Sequence, residues 1–169
     1  MIEDDIRALL VKATTVPIII ANGNGPRPKL PYITLRLETA PRAPLSETGL
    51  SAEGIQTYAA QRDGTVELQC FGEGSFDALD EMSQRMKGPA MLAAAYEANL
   101  AIYATDAVQN VPVLRDGGKY EPRAVLDIGV RYTKQHDEDV GLIKTVQGEM
   151  SLQGRGGDLV DEFRAAAAD

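Results

Sequence analysis

The stretch DGGKYEPRAVLDIGVRYT, Asp116 to Thr133, decides the fold. It opens on a turn signal, Asp116-Gly117-Gly118, and from Tyr120 onward it alternates. Ala124, Leu126, Ile128, Val130 and Tyr132 share one parity; Val125, Asp127, Gly129, Arg131 and Thr133 share the other. Period-two alternation of this length predicts a strand with one dry face and one wetter face. The run Val111 to Leu114, upstream of the turn, is placed to pair back on it as a hairpin. Pro112 lacks an N–H, which puts that partner at a sheet edge or on a bulge. The long strand is the spine of a sheet.

Working outward, Leu100 to Ala104 reads as another strand, preceded by two helices. In the first, Phe76, Leu79, Met82 and Met86 make a helical stripe with Ser75 as N-cap and Gly88 beyond its end. In the second, Pro89 occupies the favoured first position of an Ala-rich segment reaching about Glu97. Gly54 to Gln61 and Thr65 to Phe71 read as two strands turning at Arg62-Asp63-Gly64, since Asp-Gly between alternating runs is a strong hairpin signal. Pro31 to Glu38 alternates with Ile33, Leu35 and Leu37 inward and Tyr32, Thr34 and Arg36 outward. Residues 39–53 form a long loop of the kind that contacts partners. Ile2, Ile6, Leu9 and Leu10 fall at helical spacing, with Glu3, Asp4 and Asp5 in the first turn, where they suit the helix dipole. A short apolar strand, Val16 to Ile20, follows. Downstream of the spine, Val140 to Leu152 is the last strand region. Gly154-Arg155-Gly156-Gly157 then reads as a hinge to a short helix carrying Leu159, Val160 and Phe163. The expected fold is α/β (α+β): a mostly antiparallel single sheet with an N-terminal helix and a helix pair packed on one face. The expected organisation is one domain over residues 1–152 and a Gly-hinged tail over 153–169, docked or disordered.

Composition excludes several function classes. At 169 residues the chain suits one domain with a real core. It is 44% hydrophobic and 25% charged, ordinary for a globular protein. Aromatics make up 5% and Trp is absent, which weakens any base- or sugar-stacking role. No apolar run approaches a membrane span, and the acidic N-terminus lacks the basic region of a signal peptide. The net charge is −8, with acidic residues spread along the chain and no Lys/Arg cluster. Tight phosphate binding needs a basic face, so nucleic-acid binding is not expected; an acidic surface can still surround DNA without holding it. The single Cys70, in a strand-like run, is expected to be buried and inert.

Chemistry-bearing constellations are few. Asn22-Gly23-Asn24-Gly25 lacks the Lys-Ser/Thr of a phosphate loop and is not followed by a helix pattern. Gln135-His136-Asp137-Glu138-Asp139 gathers one His and three carboxylates, but without calcium-loop spacing, and it reads as a solvated turn. No GxSxG, HExxH or CxxC occurs, and no carboxylate pair stands out as buried and opposed. No catalytic, metal or cofactor-binding residue is assigned, and no cofactor is expected.

The combination Pro31-Tyr32-Ile33-Thr34 after a Gly/Pro loop, the helix pair, Leu100-Ala101-Ile102, and above all Tyr120-Glu121-Pro122-Arg123-Ala124 followed by Leu126-Asp127 and Arg131-Tyr132, resembles the neck (tail) terminator proteins of tailed bacteriophages. The likeness covers about residues 15 to 150, and the Glu-Pro-Arg-Ala strand opening is its most specific part. The resemblance implies a non-enzymatic virion protein at the neck, assembled in the bacterial host cytoplasm. Its copies form a ring, with six the expected number, on the head-proximal end of the tail tube, which joins the tube to the head. Implied partners are further copies of the chain, the tail tube protein, head-side connector proteins and, in a contractile tail, the sheath. DNA passes through the channel without specific binding, and no membrane is involved. Candidate interface residues are Pro112, Glu121 and Arg123 around the spine strand's opening, with Leu159 and Phe163 on the tail. Rival readings are a head-side connector or minor tail protein of the same particle, or a small enzyme with a metal on Asp137, Glu138 and Asp139.

Overall fold

A computed structural model describes every residue except 43, 116, 144, 155–156 and 167–169; at 41, 149–154, 157–161 and 163–166 only the backbone is described. The elements run α1 (Ile2–Leu10), β1 (Ile18–Ile20), β2 (Tyr32–Pro41), β3 (Ser46–Glu47), β4 (Ile55–Phe71), α2 (Ser75–Met86), α3 (Pro89–Glu97), β5 (Leu100–Thr105), β6 (Gln109–Asn110), β7 (Val113–Arg115), β8 (Lys119–Glu121), β9 (Arg123–Asp139), β10 (Thr145–Gly154) and β11 (Gly157–Ala166). The main sheet has the order β1-β2-β4-β9-β5, with β3 on β4 and β6 on β9; β7-β8 and β10-β11 are separate two-stranded ribbons. Among the registered pairs only β1-β2 is parallel. The expected α+β class with a mostly antiparallel sheet is what the chain adopts.

The chain divides into two compact units. One comprises Met1–Ser46 and Ala59–Lys134, the other Glu47–Tyr58 and Gln135–Asp169. Strands β4 and β9 contribute residues to both.

In the first unit, period-two patterning translates directly into burial. Ile33 and Leu35 of β2, Val66, Leu68 and Cys70 of β4, and Ala124, Leu126, Ile128 and Val130 of β9 are all buried in one cluster. Leu79, Met82 and Met86 of α2, Met91 and Ala95 of α3, and Ile6, Leu9 and Leu10 of α1 complete it. Burial pushes the Cys70 thiol up to about 11, so it is an inert core side chain. Phe76 is the exception in its stripe and is exposed. Tyr32 lies on the opposite parity yet is also buried, its ring stacked on Phe71 at 5.2 Å between centroids.

Four local readings are corrected. The hairpin expected at Asp63-Gly64 does not form, because β4 continues through it, with Gly64 paired to Thr39 and Asp63 to Ala40. A two-residue turn of this kind needs positive φ, and Gly64 is not among the residues that have it. Its lack of a side chain serves packing instead, since a Cβ there would sit 2.9 Å from Leu37 Cδ1. The stretch read as one long strand is broken at Pro122 into β8 and β9, and the expected hairpin forms on its first part (Val113↔Glu121, Leu114↔Tyr120). Only Gln109 and Asn110 reach β9 as strand, and Val111 adds one more bond to Arg123 O at 2.8 Å. Pro112 then has no N–H to continue the ladder. At α2, Gly74 in the left-handed region (φ 72°) is the N-cap and Ser75 is the first helical residue, with no side-chain capping bond. Finally, residues 157–166 are a strand and not the expected short helix, paired with β10 from Thr145↔Ala166 to Gly154↔Gly157. Backbone pairing along ten residues outweighs the small apolar spot a short helix would offer.

Candidate assembly surfaces

The strand faces pointing away from the helices carry the first unit's polar order. Asp63 on β4 receives both prongs of Arg131 on β9, from Nε at 2.7 Å and from Nη2 at 3.0 Å. The Arg131 guanidinium beside Asp63 holds its carboxyl below the usual range. Arg42 stands 3.7 Å from the same carboxylate and donates to Gln61 Oε1 at 2.8 Å. The Arg131 guanidinium also lies 5.0 Å from the centre of the Tyr103 ring. Gly129 makes room for that ring, because a Cβ there would meet it at 2.6 Å. Arg36 pairs with Glu38 at 2.8 Å and approaches Glu67 to 3.7 Å. A cleft of about 400 Å³ opens here, lined by Ile20, Asn22, Arg27, Tyr32, Arg36 and Phe71.

Two atoms on β9 stand out. Arg123 Nε and Asp127 Oδ1 are buried without a hydrogen-bond partner among the described residues. Burial, with Glu67 and Asp106 nearby, raises the Asp127 carboxyl above its ordinary value. Arg123 has no acidic partner in its own chain among the described residues. Neighbouring Glu121 is already engaged by Arg115 across the β7-β8 ribbon. Pro112 is exposed between β6 and β7. The structure thus places Glu121 on β8, Arg123 at the start of β9 and Pro112 between the strands that pair with them, and among the described residues Glu121 has an ionic partner and Arg123 has none. The side chains of Leu159 and Phe163 lie outside those described; their backbone belongs to β11.

At the sheet's end, β5 pairs with β9 on one side only. Beside it lies a groove of about 320 Å³ of mixed polarity, lined by Met86, Lys87, Leu92, Ile102, Tyr103 and Thr105. Leu92 and Tyr103 are exposed there; Tyr96, 85% exposed, lines a separate cleft with Arg131 and Tyr132. The Ala-rich helix α3 is expected from its sequence to pack closely against the sheet or another subunit, and Leu92 and Tyr96, four apart on it, are its large exposed side chains.

In the second unit, the residues weighed as metal ligands have other duties. His136 stacks against Tyr58 at 6.3 Å, Asp137 Oδ1 accepts from Thr57 Oγ1 at 2.7 Å, and Asp139 Oδ1 accepts from the Gly141 N–H at 3.0 Å. Among the described residues no group of three or more His, Cys, Asp or Glu side chains is placed to hold a metal ion.

Residues 2–154 match the family model described as the phage neck terminator protein. The chain belongs to this family. It is therefore a structural protein of the bacteriophage neck, a part of the virion that meets other head and tail proteins. A comparison with curated proteins finds no match. The matched span ends at Gly154, so it takes in all of β10 and stops short of β11.

Proposed function

We propose that copies of this neck terminator close into a six-membered ring on the head-proximal end of the tail tube, end the tube's growth and join it to the head-side connector. The family match over residues 2–154 carries this reading. Two features of the subunit support it. A strand edge open at β5 and a groove beside it suit contact with another polypeptide. A net charge of −8 with no basic cluster suits a channel that lets DNA pass without holding it. The partners are then further copies, the tail tube protein, the connector and, in a contractile tail, the sheath. Assembly takes place in the host cytoplasm.

Within this reading the opening of β9 is an interface. Arg123, without an acidic partner among the described residues, takes a carboxylate from a neighbouring subunit, while Pro112 and the Arg115-bound Glu121 fix the backbone around it. Leu159 and Phe163 on β11 contribute a second contact. Imaging the neck of purified particles, together with native mass spectrometry of the protein on tube ends, tests the ring. Six-fold density at the tube end is expected, and any other symmetry there overturns the proposal. Arg123→Ala is expected to lower the yield of joined head–tail particles, because breaking a desolvated interface pair costs about 2–5 kcal/mol. An unchanged yield removes Arg123 from the interface.

A further inference from the structure

The second unit is short of places to put its apolar side chains. Over four of the positions from 140 to 146, Val140, Leu142, Ile143 and Val146 are all exposed, Ile143 to 81%. Among the described side chains of residues 47–58 and 135–148, only Gly54 is buried. An apolar run this dense is not a stable solvent-facing surface, since each large side chain buried would contribute about 1.5–3 kcal/mol.

The first unit presents the complementary deficit. Among the described residues the far side of β5 has no strand partner, and the groove beside it is lined by Leu92 and Ile102, while the Tyr103 ring leans over β9 toward Arg131. No carboxylate lines this groove, and Lys87 stands at its wall. The apolar segment Val140–Ile143 lies between Asp137-Glu138-Asp139 and the single cation Lys144. Between copies that repel one another at −8 each, an acidic lead-in is best received beside a cation and away from carboxylates.

We propose that the β5 edge and the groove beside Leu92 and Ile102 of one copy seat the Val140–Ile143 segment of the next copy. The two surfaces differ in kind, one a groove beside a strand edge and the other an exposed apolar segment that turns at Gly141 (φ 71°). The contact is therefore heterologous and repeats head to tail, the type that closes rings. This inference rests on the ring reading and specifies which surfaces make it.

Two single-cysteine variants test it, Leu92→Cys and Ile143→Cys. Native Cys70 stays in place because it is buried and poorly ionised. The two proteins are mixed, assembled on tail tube ends and treated with a short bis-maleimide, and rings in the same sample are counted by electron microscopy. The expected product is a two-chain adduct that forms in the mixture and in neither variant alone. In parallel, Ile143→Glu is expected to reduce ring yield about tenfold, equivalent to about 1.4 kcal/mol over the whole ring. It should melt at the temperature of the parent, because Ile143 is exposed in the single chain. Rings that form without the Leu92–Ile143 adduct and tolerate Ile143→Glu overturn this contact and leave the ring standing. An adduct of Ile143→Cys with the tail tube or connector protein also overturns it, by assigning the run to that partner. Failure of the parent protein to form rings at tube ends overturns both.

Discussion

The two units of this neck terminator use the same strands to opposite effect. In the first, alternate residues of β2, β4 and β9 are driven against three helices, and Ile33, Leu35, Val66, Leu68, Leu126, Ile128 and Val130 are buried. In the second, β4 and β9 carry on as strands, but the apolar residues that follow, Val140, Leu142 and Ile143, are left in solvent. Hydrogen-bonded ladders exist in both, so backbone pairing does not distinguish them. What differs is helix cover, and with it the removal of apolar surface from water, the main favourable contribution to folding. Strands without a packed face are marginal on their own. The first unit carries its stability within one chain. On the proposed reading, the second completes its burial on a neighbour.

The largest expected effect lies in the covered face. Leu126 is fully buried at the middle of the spine strand. Leu126→Ala should cost about 2–5 kcal/mol through lost transfer energy and the cavity left behind. For a chain of this size that lowers the melting temperature by roughly 5–15 °C in calorimetry. The matching change in the other unit, Ile143→Ala, should leave the melting temperature of the isolated protein unchanged. Equal losses at the two positions would show that the second unit has its own buried core, and the contrast would be lost.

That contrast also explains what was legible in the sequence. The covered face was readable because burial on one side of a strand imposes a period of two; Ala124, Leu126, Ile128 and Val130 are buried as their spacing predicts. The Asp63-Gly64 turn was misread because the local signal ignores what lies on either side. Here β2 and the Arg131 prongs hold Asp63 in an extended strand, and Leu37 occupies the space a Gly64 side chain would need. The tail was misread as a helix because Leu159, Val160 and Phe163 fit a short helical face as well as they fit a strand, and only the ten-residue pairing with β10 decides between them. Of the candidate contacts, Arg123 was visible as an oddity of the strand opening. The β5 groove was not, since it is assembled from α2, α3 and β5 by the fold.

A smaller effect, of opposite sign, is expected on the face of β9 away from the helices. Asp127 has a buried Oδ1 without a partner, and burial together with Glu67 and Asp106 raises its carboxyl from the usual value. The folded state therefore holds this proton more tightly than the unfolded chain does. Below the unfolded value both states are protonated and the group costs nothing. The penalty grows as pH rises between the unfolded and folded values, and it is complete above the folded one. Asp127→Asn should stabilise the isolated protein at pH 7 by less than about 1 kcal/mol, and the gain should shrink as pH falls toward about 4. Asp63 supplies the control with reversed sign. Arg131 lowers its carboxyl, so its contribution is present above the unfolded value and is lost as pH falls through the folded one. A stabilisation by Asp127→Asn that does not vary with pH would mean that the carboxylate is not the source of the penalty.

The smallest effect on folding is expected from the largest deletion. Strand β11 pairs only with β10, and neither strand belongs to the main sheet. Removing residues 153–169 takes away β11 and the last two residues of β10, but no residue of the buried cluster. The melting temperature of the isolated chain should therefore stay within about 2 °C of the parent, less than 1 kcal/mol would produce at this length. Assembly should respond differently if the second unit acts on its neighbours. With β11 gone, β10 loses the strand partner it has among the described residues, and the Val140–Ile143 segment upstream is less well fixed for docking. Ring yield on tail tubes should fall while folding is unaffected, a separation that a purely stabilising hairpin would not give. A truncated chain that melts many degrees lower would instead make β10-β11 part of the subunit's own stability. One that folds and assembles like the parent would confine the docking surface to residues before 153.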